Sequence, residues 1–184
     1  MASFDFVISI YCVYANSIIK FNMSDSNSSS KNDETLKILL TIDGSEQSMQ
    51  AAEYAIDMAI NKERNIQIIA ITVIELAKLN LSTFIAAPTY GLEDLEEKKE
   101  QAKKWLSKTE RLIQDKGKNI EFKSDILENP TLKVSSLILD YAERENVDLI
   151  VVGNRGRHGF KRLLLGSVAS DIVTYSHCPV LVIK

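Results

Sequence analysis

VDLIVVGNRGRHGFKRLLLGS, residues Val147 to Ser167, joins a short aliphatic run to a loop rich in glycine and positive charge. The run from Val147 to Gly153 has the length and continuous apolar character of a strand buried on both faces. From Gly153 onward, the stretch holds four of the chain's seven glycines and no acidic residue. A buried strand that leads through such a loop into a helix is typical of α/β proteins, which bind ligands at the carboxyl ends of their strands.

The same alternation of strand and helix extends over the chain from Leu36 to Lys184. Four further apolar runs predict strands: LKILLTI (Leu36 to Ile42), IQIIAITVI (Ile66 to Ile74), NIEFKSDIL (Asn119 to Leu127) and PVLVI (Pro179 to Ile183). The third of these runs alternates apolar and polar residues, as a strand near a sheet edge does. Apolar residues at helical spacing predict an amphipathic helix between each pair of successive strands. The sequence therefore predicts an α/β fold with an open, parallel five-stranded sheet and helices on both faces.

Composition narrows the classes of function. The chain has 184 residues, of which 45% are hydrophobic and 26% charged, as expected for one globular domain. Its net charge of −3 argues against a nucleic-acid-binding protein, which would normally be basic. The two cysteines, Cys12 and Cys178, form neither a disulfide framework nor a zinc-binding spacing, so we expect a cytoplasmic location.

Residues 1–35 differ from the rest and are expected to be an N-terminal extension, followed by the folded domain at 36–184. FVISIYCVYANSIIKF (Phe6 to Phe21) is apolar but short for a membrane span, and it lacks the basic start of a secretory signal. The serine-rich segment from Met23 to Thr35 is typical of a flexible lead-in. Residues 1–22 are either an incorrectly assigned start or a poorly ordered extension, and a membrane anchor is the less favoured interpretation.

The glycine loop has the spacing Gly153-x2-Gly156-x9-Gly166-Ser167. This spacing matches neither the P-loop nor the dinucleotide fingerprint. Gly153 and Gly156 would let backbone amides approach a phosphate, and Gly166 and Ser167 stand where the last helix begins, a favourable place for an anion. Basic side chains in the loop, Arg157 and His158 among them, raise the local potential. Nucleotide phosphate binding is the preferred hypothesis, and glycines that serve only as turn formers are the alternative.

Asp43 follows the first predicted strand and would border the same crevice if the first and fourth strands are neighbours. Because a carboxylate repels phosphate, Asp43 would meet a ribose hydroxyl, the edge of a base or a Mg²⁺ ion held by phosphates. The alternative is that Asp43 caps the first helix, as Ser45 also would. A phosphoacceptor role is disfavoured, because no further acids stand near the end of the first strand.

Catalytic groups are sparse. The chain has two histidines, His158 in the loop and His177 near the end of the last helix. The spacing assembles no nucleophile, base and orienting group, so no catalytic residue and no directly bound metal are predicted.

With this glycine pattern after the fourth strand and DGSEQS (Asp43 to Ser48) after the first, the chain resembles the universal stress protein family from Leu36 to Lys184. The resemblance implies a Rossmann-like fold, of the adenine nucleotide alpha hydrolase-like kind, with strand order 3-2-1-4-5. It also implies a homodimer paired through the last strand. The glycine pattern is that of the ATP-binding branch of the family.

Carried onto this chain, the resemblance implies that Asp43 and Val73 line the adenosine side of the site. The residues expected around the ribose and phosphates are Gly153, Gly156, Gly166, Ser167 and Val168. The expected ligand is ATP, or ADP or AMP, with Mg²⁺ held through the nucleotide. We expect a stress-response binding module or switch that is read by a partner protein not identifiable from sequence. The alternatives are a slow ATPase or phosphotransfer enzyme that uses His158 or Ser167, and a nucleotide-free interaction dimer.

Overall fold

The computed structural model describes residues 35–60, 65–75, 90–116, 120–128, 132–157 and 165–184. Nearly all of the predicted N-terminal extension, 1–35, lies outside these residues, as does His158. The strands are β1 (Leu36–Thr41), β2 (Ile66–Ile74), β3 (Ile120–Glu128), β4 (Leu149–Gly153) and β5 (Val180–Ile183). The helices of the described part are α1 (Glu46–Ile60), α2 (Tyr90–Lys116), α3 (Val134–Arg144) and α4 (Ser167–Tyr175).

The five strands form one parallel sheet in the order β3-β2-β1-β4-β5, as predicted. β1 pairs with β2 on one side, where Ile38 lies opposite Ile68, and with β4 on the other, where Ile38 lies opposite Leu149. The direction of strand succession therefore reverses between β1 and β4. In open α/β sheets this reversal opens a crevice at the carboxyl ends of the two strands.

Each face of the sheet carries its own hydrophobic core. Even-numbered residues of β1, such as Ile38 and Leu40, pack with α1 and α2. Leu39, between them, packs on the opposite face with residues of α3 and α4. All three side chains are fully buried, and each contributes about 1.5–3 kcal/mol through burial. Burial on both faces explains why the inner strands have continuous apolar sequences.

Several element boundaries differ from the predicted ones. β1 ends at Thr41, β3 runs from Ile120 to Glu128 and β5 begins at Val180, each one residue away from the prediction. β4 begins at Leu149 and not at Val147; just ahead of the strand, the Asp148 carboxylate accepts a hydrogen bond from the Lys37 backbone N–H at 2.8 Å. The Asn-Pro pair at 129–130 favours a helix start in the sequence, but α3 begins at Val134, further along the chain. Residues 129–131 lie outside the described part of the chain.

α2 is the longest helix of the described part, with 27 residues, but its sequence is strongly charged. Across the described ranges, no helix is both long enough and apolar enough to cross a membrane.

Candidate functional site

A cavity of about 650 Å³ lies at the carboxyl ends of β1, β2 and β4. Its volume falls in the range of small-molecule sites. Eight of the nine predicted site residues line this one cavity: Asp43, Val73, Gly153, Gly156, Arg157, Gly166, Ser167 and Val168. The ninth, His158, lies outside the described residues. Asp43 and Val168, which are 125 positions apart in the chain, therefore line the same cavity.

Asp43 connects the end of β1 to the glycine loop. Its Oδ2 accepts the backbone N–H of Arg157 at 3.0 Å. Its Oδ1 accepts both the backbone N–H of Ser45, at 3.0 Å, and the Ser45 hydroxyl, at 2.6 Å. Hydrogen bonds to a carboxylate are among the stronger ones in proteins, so Asp43 fixes the loop after β4 relative to the turn after β1.

Ser45, and not Asp43, caps α1. The Ser45 Oγ accepts the backbone N–H of Ser48 at 3.2 Å, which is the bond expected of an N-cap residue. The Ser48 hydroxyl in turn donates to the Ser45 carbonyl at 2.9 Å. The interpretation of Asp43 as the helix cap is therefore wrong, because its carboxylate bonds to the cap residue and to the loop instead.

Two of the glycines are required by close approaches. A Cβ on Gly156 would lie 2.6 Å from Asp43 Oδ2, so the bond between Asp43 and the loop requires glycine there. A Cβ on Gly153 would lie 2.8 Å from the Gln47 carbonyl carbon, because the end of β4 packs directly against the first turn of α1. Gly153 thus lines the cavity, and its lack of a side chain also lets the end of β4 pack against α1. This reason was not apparent from the sequence.

The N-termini of two helices meet at the cavity. Gly166 is the N-cap residue of α4 and Lys133 that of α3, and neither helix has a side-chain capping hydrogen bond. The first residues of both helices, Ser167 and Val134, line the cavity. Free N–H groups and the helix dipole favour an anion at such a position. The N-terminal ends of α3 and α4 therefore both border the cavity, at the place where the sequence predicted an anion site.

α2 forms one wall of the cavity, which was not predicted from the sequence. Its contribution to the lining is Asp94, Glu97, Lys98, Gln101 and Trp105. In the sequence, Trp105 falls with Ala102, Leu106 and Thr109 on the inner stripe expected of an amphipathic helix, which indicates core packing and no ligand. In the structure its indole packs on Gly44, and the Arg157 guanidinium lies 4.7 Å from the centre of the ring. A large aromatic side chain in an otherwise strongly charged helix was the one sequence signal that could have pointed to it.

The described lining offers cations, hydrogen-bond donors and apolar surface. Arg155 and Arg157 lie on the loop side, and Ile71 and Val73 contribute apolar surface at the end of β2. No group of three or more metal-ligating side chains occurs among the described residues. Asp43, Glu75, Asp94 and Glu97 add carboxylates to the same lining, so the cavity presents charges of both signs beside apolar surface.

Residues 34–184 match the model of the universal stress protein family. The universal stress protein MJ0531 of Methanocaldococcus jannaschii is 36% identical over 162 residues, which cover 86% of this chain and 88% of that protein.

Solved structures show the same fold. Universal stress protein UspA from Lactobacillus plantarum has a TM-score of 0.70 at 23% identity, covering 81% of this chain and 97% of that one. The protein MJ0577 of M. jannaschii has a TM-score of 0.66 at 28% identity, covering 80% and 94%.

Three more distant structures contain nucleotides: a universal stress protein from Archaeoglobus fulgidus with dAMP, a universal stress protein with cAMP, and an Arabidopsis thaliana family member with AMP. Their TM-scores are 0.52, 0.51 and 0.52, and their identities of 20%, 21% and 15% establish likeness of fold alone. The match over residues 34–184 and the identity to a curated relative lead to one conclusion: the chain belongs to the universal stress protein family.

Proposed function

We propose that this protein binds ATP in the cavity and acts as a nucleotide-dependent binding module or switch in the stress response. The observation that carries the proposal is the cavity itself, where the glycine loop, two uncapped helix N-termini and Arg157 converge. The dAMP, cAMP and AMP complexes of other family members support an adenine nucleotide as the ligand class.

In this proposal the nucleotide spans the crevice between β1 and β4. Asp43 and Val73 lie on the adenosine side, and the phosphates meet the loop and the start of α4. The first turns of α3 and α4, together with Arg155 and Arg157, supply the donors for the phosphates, whereas the carboxylates of the lining, Asp43, Glu75, Asp94 and Glu97, lie in the same cavity. We propose ATP as the ligand, with Mg²⁺ held through its phosphates to offset their charge beside these carboxylates.

We further propose a cytoplasmic homodimer that pairs through β5, with a partner protein that distinguishes the ATP-bound from the empty form. The net charge of −3 disfavours nucleic acid as that partner. A ligand shifts such an equilibrium only if it binds one form better than the other. The glycine loop, tied to β1 through Asp43 and Gly156, is the element we expect to differ between the two forms.

Calorimetric titration with ATP, ADP and AMP tests the proposal. We expect wild-type protein to bind and Gly156→Val to lose binding, because the added side chain displaces Asp43 from the loop. Thr174→Val, at the far end of α4, is the matched control and should bind as wild type does. If wild-type protein takes up no nucleotide at millimolar concentration, the proposal fails and an interaction dimer becomes the better account.

A slow ATPase or phosphotransfer enzyme is the second candidate, because the Ser167 hydroxyl lines the cavity where phosphates would lie. It predicts more than one equivalent of ADP formed per subunit, with loss of turnover in His158→Ala. The other histidine, His177, is exposed just after the end of α4 and does not line the cavity. His177→Ala is therefore the matched control, and turnover at or below one equivalent favours the switch.

A further inference from the structure

A tryptophan and an arginine from distant parts of the chain form a stacked pair at the cavity. The Arg157 guanidinium lies 4.7 Å from the centre of the Trp105 ring, and both residues line the cavity. Arg157 belongs to the glycine loop after β4, whereas Trp105 lies on α2. The side chain of Arg157 therefore reaches past the end of β1 to the helix on the α1 and α2 face of the sheet.

The turn after β1 is built to admit the indole. Gly44 has φ of +78°, and a Cβ there would lie 2.1 Å from Trp105 Cε2. The indole thus fills the space that any other residue at position 44 would occupy. Trp105 is partly buried and packs against the hydrophobic core of α1 and α2 as well as against this turn, so its ring has contacts besides the one with Arg157.

Both ends of Arg157 are held in place. Its backbone N–H donates to Asp43 Oδ2 at 3.0 Å, and its guanidinium lies over the indole. Where a guanidinium packs flat on an aromatic ring, its in-plane N–H donors stay free to bind oxygen atoms. Within the described residues, no carboxylate forms an ion pair with Arg157.

We propose that Trp105 is a positioning residue for phosphate binding. It holds the Arg157 guanidinium with its N–H edge towards the cavity, where that edge binds the phosphate chain of the nucleotide. The inference rests on the proposed function, because it names how the same site recognises the anionic part of its ligand. Bidentate binding to phosphate oxygens is the chemistry for which arginine geometry is suited.

A comparison of ATP with adenosine separates this role from simple wall packing. We expect Trp105→Leu to weaken ATP binding by about 2- to 30-fold, the range for a cation–π contact. Adenosine, which has no phosphate, should bind within about twofold of wild type. Trp105→Phe keeps an aromatic face and should lose less ATP affinity than Trp105→Leu. Arg157→Gln should lose ATP affinity, and adding Trp105→Leu to it should cause no further loss.

Arg144→Gln is the matched control, because its guanidinium stacks on Tyr141 at 4.9 Å, away from the cavity. It should bind ATP as wild type does. The inference is overturned if Trp105→Leu weakens the binding of adenosine and of ATP equally. It is also overturned if the fold-losses of Trp105→Leu and Arg157→Gln multiply in the double variant. Should Trp105→Leu fail to fold, the same two comparisons are made with Trp105→Phe. If wild-type protein does not bind ATP, the proposed function itself is overturned. The titration of wild-type protein shows this before any variant is compared.

Discussion

At the scale of single residues, the Asp43 carboxylate has most of its hydrogen-bonding capacity in use. It accepts three hydrogen bonds, two from Ser45 and one from the Arg157 backbone. A carboxylate has about four acceptor sites, so about one remains for a ligand. A ribose hydroxyl or an amino group of the base would suit that single site. Asp43 is therefore first an organiser of the loop and, in the proposed complex, a contact to the nucleoside.

Gly44 should be among the most sensitive glycines to substitution. Gly44→Ala combines a left-handed backbone with a Cβ 2.1 Å from Trp105 Cε2. We expect the free energy of unfolding to fall by at least about 2 kcal/mol, measured by urea denaturation. Gly166→Ala is the control, because its nearest contact would be 3.4 Å and its φ is −73°, so its change should stay within about 1 kcal/mol. Equal losses in the two variants would contradict this account of the turn.

Cys178 should be a slow thiol. Burial raises the pKa of the Cys178 thiol, which lowers the fraction of reactive thiolate at any pH below that pKa. In a Cys12→Ser background, we expect a disulfide reagent at pH 8 to label the folded protein on the order of tenfold or more slowly than a cysteine peptide. The labelling rate should rise at higher pH than it does for the peptide. Labelling as fast as the peptide would show that Cys178 is accessible and unperturbed.

At the scale of elements, the strands could be predicted from the sequence better than the contacts between distant segments could. β2 matches the predicted Ile66 to Ile74, because a run of large aliphatic residues has few alternatives to a buried strand. The start of β4 was predicted two residues early, because the apolar run includes Val147 whereas the pairing with β1 begins at Leu149. Trp105 was missed as a site residue because its contacts are made by residues distant in the sequence. Its partners Gly44 and Arg157 are adjacent to it only after folding.

The start of α1 depends on one hydroxyl. Ser45→Ala removes the cap of α1 and one of the bonds to Asp43. We expect the free energy of unfolding to fall by about 1–2 kcal/mol. Ser107→Ala, on the exposed face of α2, should leave stability unchanged or raise it by a few tenths of a kcal/mol, because alanine favours helix. Urea denaturation of both variants measures the difference, and a Ser45→Ala protein as stable as wild type would disprove the capping role.

At the scale of the whole molecule, the alternation of strands and helices predicted a parallel sheet but did not determine the order of its strands. The order β3-β2-β1-β4-β5 came from the family resemblance and is confirmed. That order places β1 next to β4, which is the condition for Asp43 and the glycine loop to share a cavity. Eight of the nine predicted site residues line that cavity, because the strands that carry them are neighbours in the sheet. His158 lies outside the described residues and stays a prediction.

The edge strand β5 offers a test of the proposed dimer. The carbonyl of Pro179 accepts the backbone N–H of Ile150 in β4, and the carbonyl of Ile183 accepts that of Asn154, just after β4. The alternation of a strand therefore turns the Val182 N–H towards the free edge. Val182→Pro should remove that donor and give a folded monomer in sedimentation analysis, while Val182→Thr, which keeps the N–H, should remain a dimer. A Val182→Pro protein that is still dimeric would exclude pairing through β5.

Native mass spectrometry of the protein as purified from cells, with no nucleotide added, tests the central claim most directly. The account predicts a species that carries the mass of ATP or its hydrolysis products, and the absence of that species in Gly156→Val. Protein that is empty as purified, and stays empty with millimolar ATP and Mg²⁺, would contradict the claim that the cavity between β1 and β4 is a nucleotide site.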